Sequence, residues 1–306
     1  MRVAIHDAER DRMPHKIFPN LALMKISAYH KKRGDSVEWW DKAKTYDKIY
    51  SSKVFAFTPA NPHLPDDTIK GGTGYGLYEK LPSNIDICHP DYSIYPACDY
   101  AVGFLTRGCP NSCPWCIVPT KEGNIRPSAN WKMIVRPDTE KLVLLDNNIL
   151  ACEYGIRQLA ELSETVCKLD LNQGMDVTLI TEDIVAILAK IKWIRYIRFS
   201  CDTDNKLPYF KRMSELFKKY GISLSRVFIY VLVRDNLDSA DFRVQELHKI
   251  CKSFNIYAQA ERSLKSGTVP DKLQLEFAQR FVYGRSYKKE TWLQYCNRLN
   301  LNYERN

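Results

Sequence analysis

The segment Ala101-Val-Gly-Phe-Leu-Thr-Arg-Gly-Cys109-Pro-Asn-Ser-Cys113-Pro-Trp-Cys116-Ile-Val-Pro119 places three cysteines within eight residues. An apolar strand is predicted directly before them, at Tyr100–Leu105. Three thiols on one loop can each bind one iron of a cubane cluster, because soft sulfur ligands suit iron–sulfur centres. A [4Fe-4S] cluster has four irons, so one iron would stay open to a small molecule.

Zinc is the main alternative ligand for this loop. A structural zinc site needs four ligands, usually two Cys-x2-Cys pairs or cysteine with histidine at fixed spacing. No second pair is present, although Cys88 and His89 lie upstream and could be borrowed. The remaining cysteines are scattered and are typical of small buried apolar residues. The spacing therefore favours an iron–sulfur cluster and leaves zinc open.

Six apolar segments predict one repeating strand–helix series. They are Tyr100–Leu105, Lys141–Leu145, Lys168–Leu171, Tyr196–Ser200, Val227–Val233 and Asn255–Ala260. Helical patterns follow at Ala151–Lys168, Thr181–Lys192, Pro208–Tyr220 and Ser239–Phe254, and a last one at Asp271–Tyr283. Such alternation is typical of an α/β fold with a parallel sheet. A closed eight-stranded barrel needs about 250 residues, so we expect a (βα)6 partial TIM-like barrel over residues 98–265, with its chemistry in the loops after the strands.

The cysteine spacing after the first strand of this series, with Trp115 before the third cysteine, resembles the radical S-adenosylmethionine superfamily. The cobalamin-type and methylthiotransferase-like branch is the most similar. The resemblance implies that Cys109, Cys113 and Cys116 hold a [4Fe-4S] cluster whose open iron is chelated by S-adenosylmethionine. It also implies that one electron cleaves the sulfonium to methionine and a 5′-deoxyadenosyl radical, which takes hydrogen from the substrate.

Further cofactor-binding residues are implied by the same resemblance. Asp146 and Asn147 follow the second strand, where the family holds the methionyl amine, although its commoner Gly-Gly-Glu pattern is absent. Asn172 and Gln173 follow the third strand and could reach the ribose or the substrate. Trp115 completes this group within the cysteine loop.

Polar residues also line the fourth predicted strand. Arg198, Ser200 and Asp202 alternate with Phe199 and Cys201, which places the three polar side chains on one face. Polar groups facing a barrel interior need partners, either a ligand or ordinary hydrogen bonds. Weaker candidates on the fifth and sixth strands are Tyr230, Arg234, Gln259 and Glu261.

Residues 1–97 are predicted to form an abbreviated Rossmann-like unit. Its strands are expected at Arg2–Asp7, Val37–Trp40 and Lys53–Phe57, with a helix over Asn20–Lys32. The run Gly71–Gly76 opens no helix of a complete βαβ unit, so it is not predicted as a dinucleotide fingerprint. It resembles the glycine turn of domains that precede cobalamin-type radical proteins. The Asp-x-His-x-x-Gly ligand motif is missing, since Ala8 and Glu9 follow Asp7, and cobalamin is therefore a weak expectation.

Residues 266–306 are predicted as a helical tail that packs on the barrel. Arginines alternate with aromatic residues over Gln279–Lys289, and Thr291–Cys296 adds more aromatic residues. Such a pattern can stack on bases and pair with phosphates, or it can bury an aromatic stripe against the barrel. A third possibility is that the tail positions the adenine or closes the barrel.

Composition limits the cell compartment and the partners. The chain carries 45 Lys and Arg against 36 Asp and Glu, a net charge of +9, which permits a nucleic-acid partner without requiring one. No apolar run approaches the ~18 residues that span a bilayer, and the N-terminus does not read as a signal peptide. We therefore expect a cytoplasmic protein without a membrane partner.

The leading hypothesis is a radical enzyme that acts on a small molecule or a nucleic acid and takes electrons from flavodoxin or ferredoxin. A second hypothesis is a cluster-bearing sensor or binding protein without catalysis. A third is a transferase that adds a methyl or methylthio group to tRNA or another nucleic acid. It would need cobalamin or a second cluster, and no second cysteine triad is present.

Overall fold

The computed structural model describes residues 1–13, 18–262 and 267–303. The chain divides into two units, Met1–Ala101 and Val102–Asn306. The division lies close to the boundary expected at residues 97 and 98, and the described part of the tail belongs to the second unit. Among the described residues, no helix combines the length and apolarity needed to cross a bilayer.

The amino-terminal unit is built on one four-stranded sheet. Its elements are β1 (Arg2–Asp7), α1 (Ala8–Arg12), α2 (Leu21–Lys32), β2 (Ser36–Trp39), β3 (Lys48–Ser52), β4 (Ile69–Gly71) and α3 (Ser83–Asp86). The strand order is β2-β1-β3-β4, and every pair is parallel. Asn20 caps the start of helix α2, because its side chain accepts a hydrogen bond from the Leu23 N–H. The helix buries Leu23 and Met24 beside β1.

The third strand differs from the prediction, which was wrong by five residues. The sequence favoured Lys53–Phe57, whereas the strand is Lys48–Ser52. Ile49 is buried in the sheet, but Phe55 and Phe57 are 45% and 44% exposed and stack on each other. Aromatic residues have high strand propensity wherever they lie, and here burial of Ile49 determines the register instead.

The carboxy-terminal unit carries two four-stranded sheets. Its elements are β5 (Ala101–Gly103), β6 (Thr106–Arg107), α4 (Val118–Glu122), β7 (Arg126–Pro127), β8 (Lys141–Leu144), α5 (Glu153–Ser163), β9 (Lys168–Leu171), β10 (Met175–Asp176), α6 (Glu182–Lys190), β11 (Lys192–Trp193), β12 (Ile197–Cys201), α7 (Leu207–Lys219), β13 (Val227–Val233), α8 (Leu237–Ile250), β14 (Asn255–Ala260), α9 (Lys272–Glu276) and α10 (Trp292–Leu299). The sheet orders are β5-β8-β9-β11 and β10-β12-β13-β14.

All six strands predicted for this unit are present, as β5, β8, β9, β12, β13 and β14. The pairs β8–β9, β12–β13 and β13–β14 are parallel, which confirms the α/β class. Among the described strands, no ladder joins the two sheets. Instead β11 pairs with β9, and β10 pairs with β12, so the partial barrel stays a prediction.

The second sheet has one buried face and one open face. Along β13, Ile229, Val231 and Val233 are fully buried, and α8 packs against this strand. The alternate residues Phe228 and Tyr230 are only half-buried. Because strand side chains alternate, all the open-face residues of β12, β13 and β14 lie on the same side of the sheet.

The tail packs through its aromatic residues. A π-helix spans Phe277–Val282, between α9 and α10. Phe277, Phe281 and Trp292 are fully buried, and their ring centroids lie 5.1 to 5.4 Å apart. These three tail residues therefore form a buried aromatic cluster, whereas Tyr283 is 71% exposed.

Candidate functional site

The cysteine loop runs from the end of β6 to α4. It turns at Gly108, whose φ is +89°, and a Cβ there would lie 2.3 Å from the Asn124 carbonyl oxygen. The next residue, Cys109, donates its backbone N–H to the Gly123 carbonyl at 3.2 Å. Only glycine fits this approach, so the loop entrance is sterically fixed.

Asp146 holds the chain that leads into this loop. It follows β8, is 6% exposed, and accepts hydrogen bonds from the Leu105 N–H at 3.1 Å and from the Thr106 N–H and hydroxyl. Burial raises the pKa of its carboxyl to about 6, although the bonds from Thr106 and Leu105 lower it. The structure therefore places Asp146 as a support for the segment before the cysteines.

Asn147 and Asn148 contact the loop itself. The Asn147 side-chain oxygen accepts the Gly108 N–H at 3.2 Å, and the Asn148 Nδ2 lies 3.7 Å from the Cys109 Sγ. Asn148 is buried, and its Oδ1 has no hydrogen-bond donor among the described residues. A buried acceptor without a donor is costly, which marks this point as one where a ligand could supply the donor.

The loop also reaches the strand ends of the second sheet. Asn111 donates to the Asp176 carboxylate at 3.1 Å, and the Arg234 guanidinium lies 5.0 Å from the Trp115 ring centroid. Asp176 ends β10 and Arg234 directly follows β13. The cysteines therefore lie where the carboxyl ends of strands from both sheets come together.

Charged groups surround Cys113 at this place. Burial raises the pKa of its thiol, and the Cys116 thiol and Asp202 raise it further, whereas Lys206 lowers it. Lys206 Nζ lies 3.5 Å from Asp176 Oδ1 and 3.9 Å from Asp202 Oδ2. Binding of a metal at these thiols would release protons, since only thiolates ligate.

A buried ion pair supports the far side of the loop. Glu122 in α4 is 6% exposed and receives two hydrogen bonds from the Arg107 guanidinium, at 2.9 and 2.8 Å. Burial alone would raise the pKa of Glu122, but Arg107 lowers it below its ordinary value. Such a bidentate pair fixes both ends of the loop because Arg107 precedes it and Glu122 follows it.

Of the other predicted cofactor residues, two have side-chain partners within the protein and two do not. Arg198 pairs with Asp170, and the Ser200 hydroxyl accepts a bond from Lys206 at 3.3 Å. The half-buried Asn172 and the exposed Gln173 have no side-chain hydrogen bonds within the described residues. Arg198 and Ser200 are thus held by the protein itself, and the two amides are available to a ligand.

The amino-terminal unit has a polar chain that sequence reasoning missed. His6 and Ser51 lie opposite each other near the ends of β1 and β3, and His6 Nδ1 is 2.8 Å from Ser51 Oγ. Ser51 Oγ is also 2.8 Å from the Tyr75 hydroxyl, and His6 Nε2 is 2.8 Å from Asp11 Oδ2. Ser51 lies 45 residues from His6, and Tyr75 a further 24 residues along the chain, so no local motif indicates the chain of contacts.

The glycine turn of this unit gives no support to cobalamin. Cβ atoms at Gly72 and Gly74 would lie 2.5 Å from the Lys53 carbonyl oxygen and 2.7 Å from that of Phe55. The close approach that requires glycine is therefore to the backbone of the same unit. The function proposed below uses no cobalamin.

Three thiols on one loop are ligands of the kind that iron–sulfur clusters use. Cys109, Cys113 and Cys116 are all half-buried on one loop, beside the unpaired Asn148 oxygen. Within residues 1–13, 18–262 and 267–303, however, no three His, Cys, Asp or Glu side chains converge to hold a metal ion.

Comparison with known proteins identifies no family for this chain. No protein-family model matches the chain, and no curated protein matches it either.

Proposed function

We propose that the chain is a radical S-adenosylmethionine enzyme whose [4Fe-4S] cluster is bound by Cys109, Cys113 and Cys116. The observation that carries the proposal is the position of the cysteine loop beside the buried, unpaired Asn148 oxygen, at the carboxyl ends of strands from both sheets. When bound, the cluster supplies one electron to the sulfonium of S-adenosylmethionine, which yields methionine and a 5′-deoxyadenosyl radical that takes hydrogen from the substrate.

The residues of the chain take separate roles in this proposal. Asp146 and Asn147 hold the loop through its backbone N–H groups. Asn148 donates to the Cys109 sulfur, a contact of the kind that tunes cluster potentials, and its Oδ1 would accept from an N–H of the methionyl amine. Asn172 and Gln173 supply the free amides for the ribose or the substrate. The two parallel sheets would then form the halves of a partial barrel with the site at its carboxyl end.

The test is anaerobic reconstitution with iron and sulfide, followed by reduction and addition of S-adenosylmethionine. We expect 5′-deoxyadenosine, detected by mass spectrometry, and a cluster measured by iron and sulfide content. A variant with Cys109→Ala, Cys113→Ala and Cys116→Ala should lose both. The matched control removes three cysteines outside the loop, by Cys88→Ala, Cys167→Ala and Cys251→Ala, and should keep both.

Two outcomes would separate the alternatives. A cluster that forms without any 5′-deoxyadenosine, under several reductants, would favour the cluster-bearing sensor. Equal loss in both triple variants would remove the assignment of the loop. Asn148→Leu keeps the branched shape of the side chain but deletes both polar contacts, and it should retain iron while binding S-adenosylmethionine about tenfold more weakly.

A further inference from the structure

We propose that the exposed side of the tail, together with the adjoining open face of β14, binds single-stranded nucleic acid. This inference does not rest on the radical chemistry, because it uses none of the cysteine-loop residues. The packed side of the tail is accounted for by Phe277, Phe281 and Trp292. Its opposite side carries cations and an exposed aromatic ring that packing does not explain.

The first component is a basic hollow of about 610 Å³, defined by Arg285, Lys288, Lys289, Glu290 and Arg298. Glu290 forms an ion pair with Arg298, in which the Arg298 Nη2 lies 2.6 Å from the Glu290 carboxylate. The three other cations are exposed, and none has a carboxylate partner within 4.0 Å in the described part of the chain. The hollow therefore keeps about three positive charges available for phosphate groups.

The second component is an aromatic row that leads to this hollow. Tyr283 is 71% exposed and directly precedes Gly284, which lines the hollow. Its ring centroid lies 6.3 Å from that of Tyr257, which is 37% exposed on the open face of β14. Tyr257 in turn lies 6.0 Å from Tyr230 on β13. Exposed phenol rings provide stacking surfaces for bases that are not paired in a duplex.

The combination identifies the ligand class. An acidic peptide or inorganic phosphate would use the cations but not the rings. A duplex would offer phosphates but keep its bases stacked inside. A single strand alone presents both phosphates and free base faces, which is how sequence-tolerant proteins bind it. The net charge of +9 favours the same partner at long range.

The test measures anisotropy of a short fluorescein-labelled single-stranded RNA, and of DNA of the same sequence, across a series of salt concentrations. The variant R285Q/K288Q/K289Q should bind at least tenfold more weakly, and its log–log salt slope should be smaller in magnitude by about 2, at 0.7 per phosphate contact. The matched control K211Q/R212Q/K218Q removes three exposed cations of α7 and should behave as the unmodified protein.

Stacking is tested separately. Tyr283→Ala should weaken binding by about tenfold or more, whereas Tyr283→Phe keeps the ring and should restore it. Circular dichroism of both variants should match the unmodified protein, because Tyr283 is exposed. If RNA and DNA differ in affinity, the tighter one identifies the natural strand, and either supports the proposal.

Three results would overturn it. They are no binding by either strand, equal losses in the two glutamine variants, and equal affinity for a duplex or for polyglutamate. The triple cysteine-to-alanine variant should bind the strand normally. Failure of the radical assay therefore leaves this inference standing, and failure of the binding assay leaves the radical proposal standing.

Discussion

Replacing Asp146 by asparagine should change how the stability of the chain depends on pH. Burial raises the pKa of this carboxyl from its ordinary value of 3.8 to about 6 in the folded chain. At 1.36 kcal/mol per pH unit, that difference corresponds to about 3 kcal/mol. Between these two values the folded protein holds a proton that the unfolded chain has released. The folded state is therefore stabilised as the pH falls through this window.

The stability of the unmodified protein and that of Asp146→Asn should depend differently on pH. Asparagine does not titrate, so Asp146→Asn lacks this linkage. The stability of the unmodified protein relative to the variant should rise by up to about 3 kcal/mol as the pH is lowered from 7 to below 4. Asparagine has one acceptor oxygen where Asp146 has two, so loss of the hydrogen bond to either the Leu105 or the Thr106 N–H adds a cost that does not depend on pH.

Urea unfolding followed by far-ultraviolet circular dichroism, repeated at several pH values, measures this difference. Asp202, whose pKa is also raised by burial, is present in both proteins and cancels in the comparison. A difference that stays constant from pH 7 to pH 4, or that shrinks as the pH falls, would refute the assignment of a buried carboxyl with a raised pKa.

Three further predictions concern the loop and the tail. Gly108→Ala should cost about 1–3 kcal/mol more than Gly123→Ala, because both have positive φ but only the first places a Cβ against backbone oxygen. Equal melting temperatures for the two variants would contradict this. Glu122→Gln should destabilise at neutral pH by about 1–3 kcal/mol, because it breaks the Arg107 pair. Since the pKa of Glu122 is lowered, the loss should shrink as the pH falls below its ordinary value of 4.5, and a pH-independent loss in urea titrations would exclude the charged pair. Trp292→Ala should cost about 3–5 kcal/mol, because its fully buried ring is removed from the tail cluster. An unchanged urea midpoint would show that the tail does not contribute to the cooperative core.

The regular elements of the carboxy-terminal unit could be predicted because their signals are local. Strand β13 alternates buried aliphatic with half-buried residues over Val227–Val233, and its bounds match the sequence prediction. The sequence did not predict that β9 and β12 belong to separate sheets. Two short strands take the places beside them: β11, which begins at Lys192, pairs with β9, and β10, which begins at Met175, pairs with β12. Strand β3 was misplaced because Phe55 and Phe57 imitate a strand without being buried.

The candidate site was predictable in its ligands but not in its supports. Three cysteines in eight residues are visible in the sequence alone. The roles of Asp146 and Asn148 depend on which backbone and sulfur atoms the fold brings to them, some forty residues away along the chain. Lys206 was missed entirely, because a lysine at a helix start is usually solvated, and only the neighbouring Asp176 and Asp202 carboxylates give it a place here.

The π-helix of the tail accommodates one residue more than an α-helix of the same length would. The Tyr283 N–H bonds to the carbonyl of Ala278, five residues back, so the turn contains one residue more than an α-helical turn. Deletion of a single codon within Phe277–Val282 would allow an ordinary α-helix. Residues after it would keep nearly the same direction around the helix axis, because the extra residue is contained within one wide turn. Over evolutionary time, an insertion of this kind can add one side chain to a packed helix while the packed residues on both sides of it stay in place.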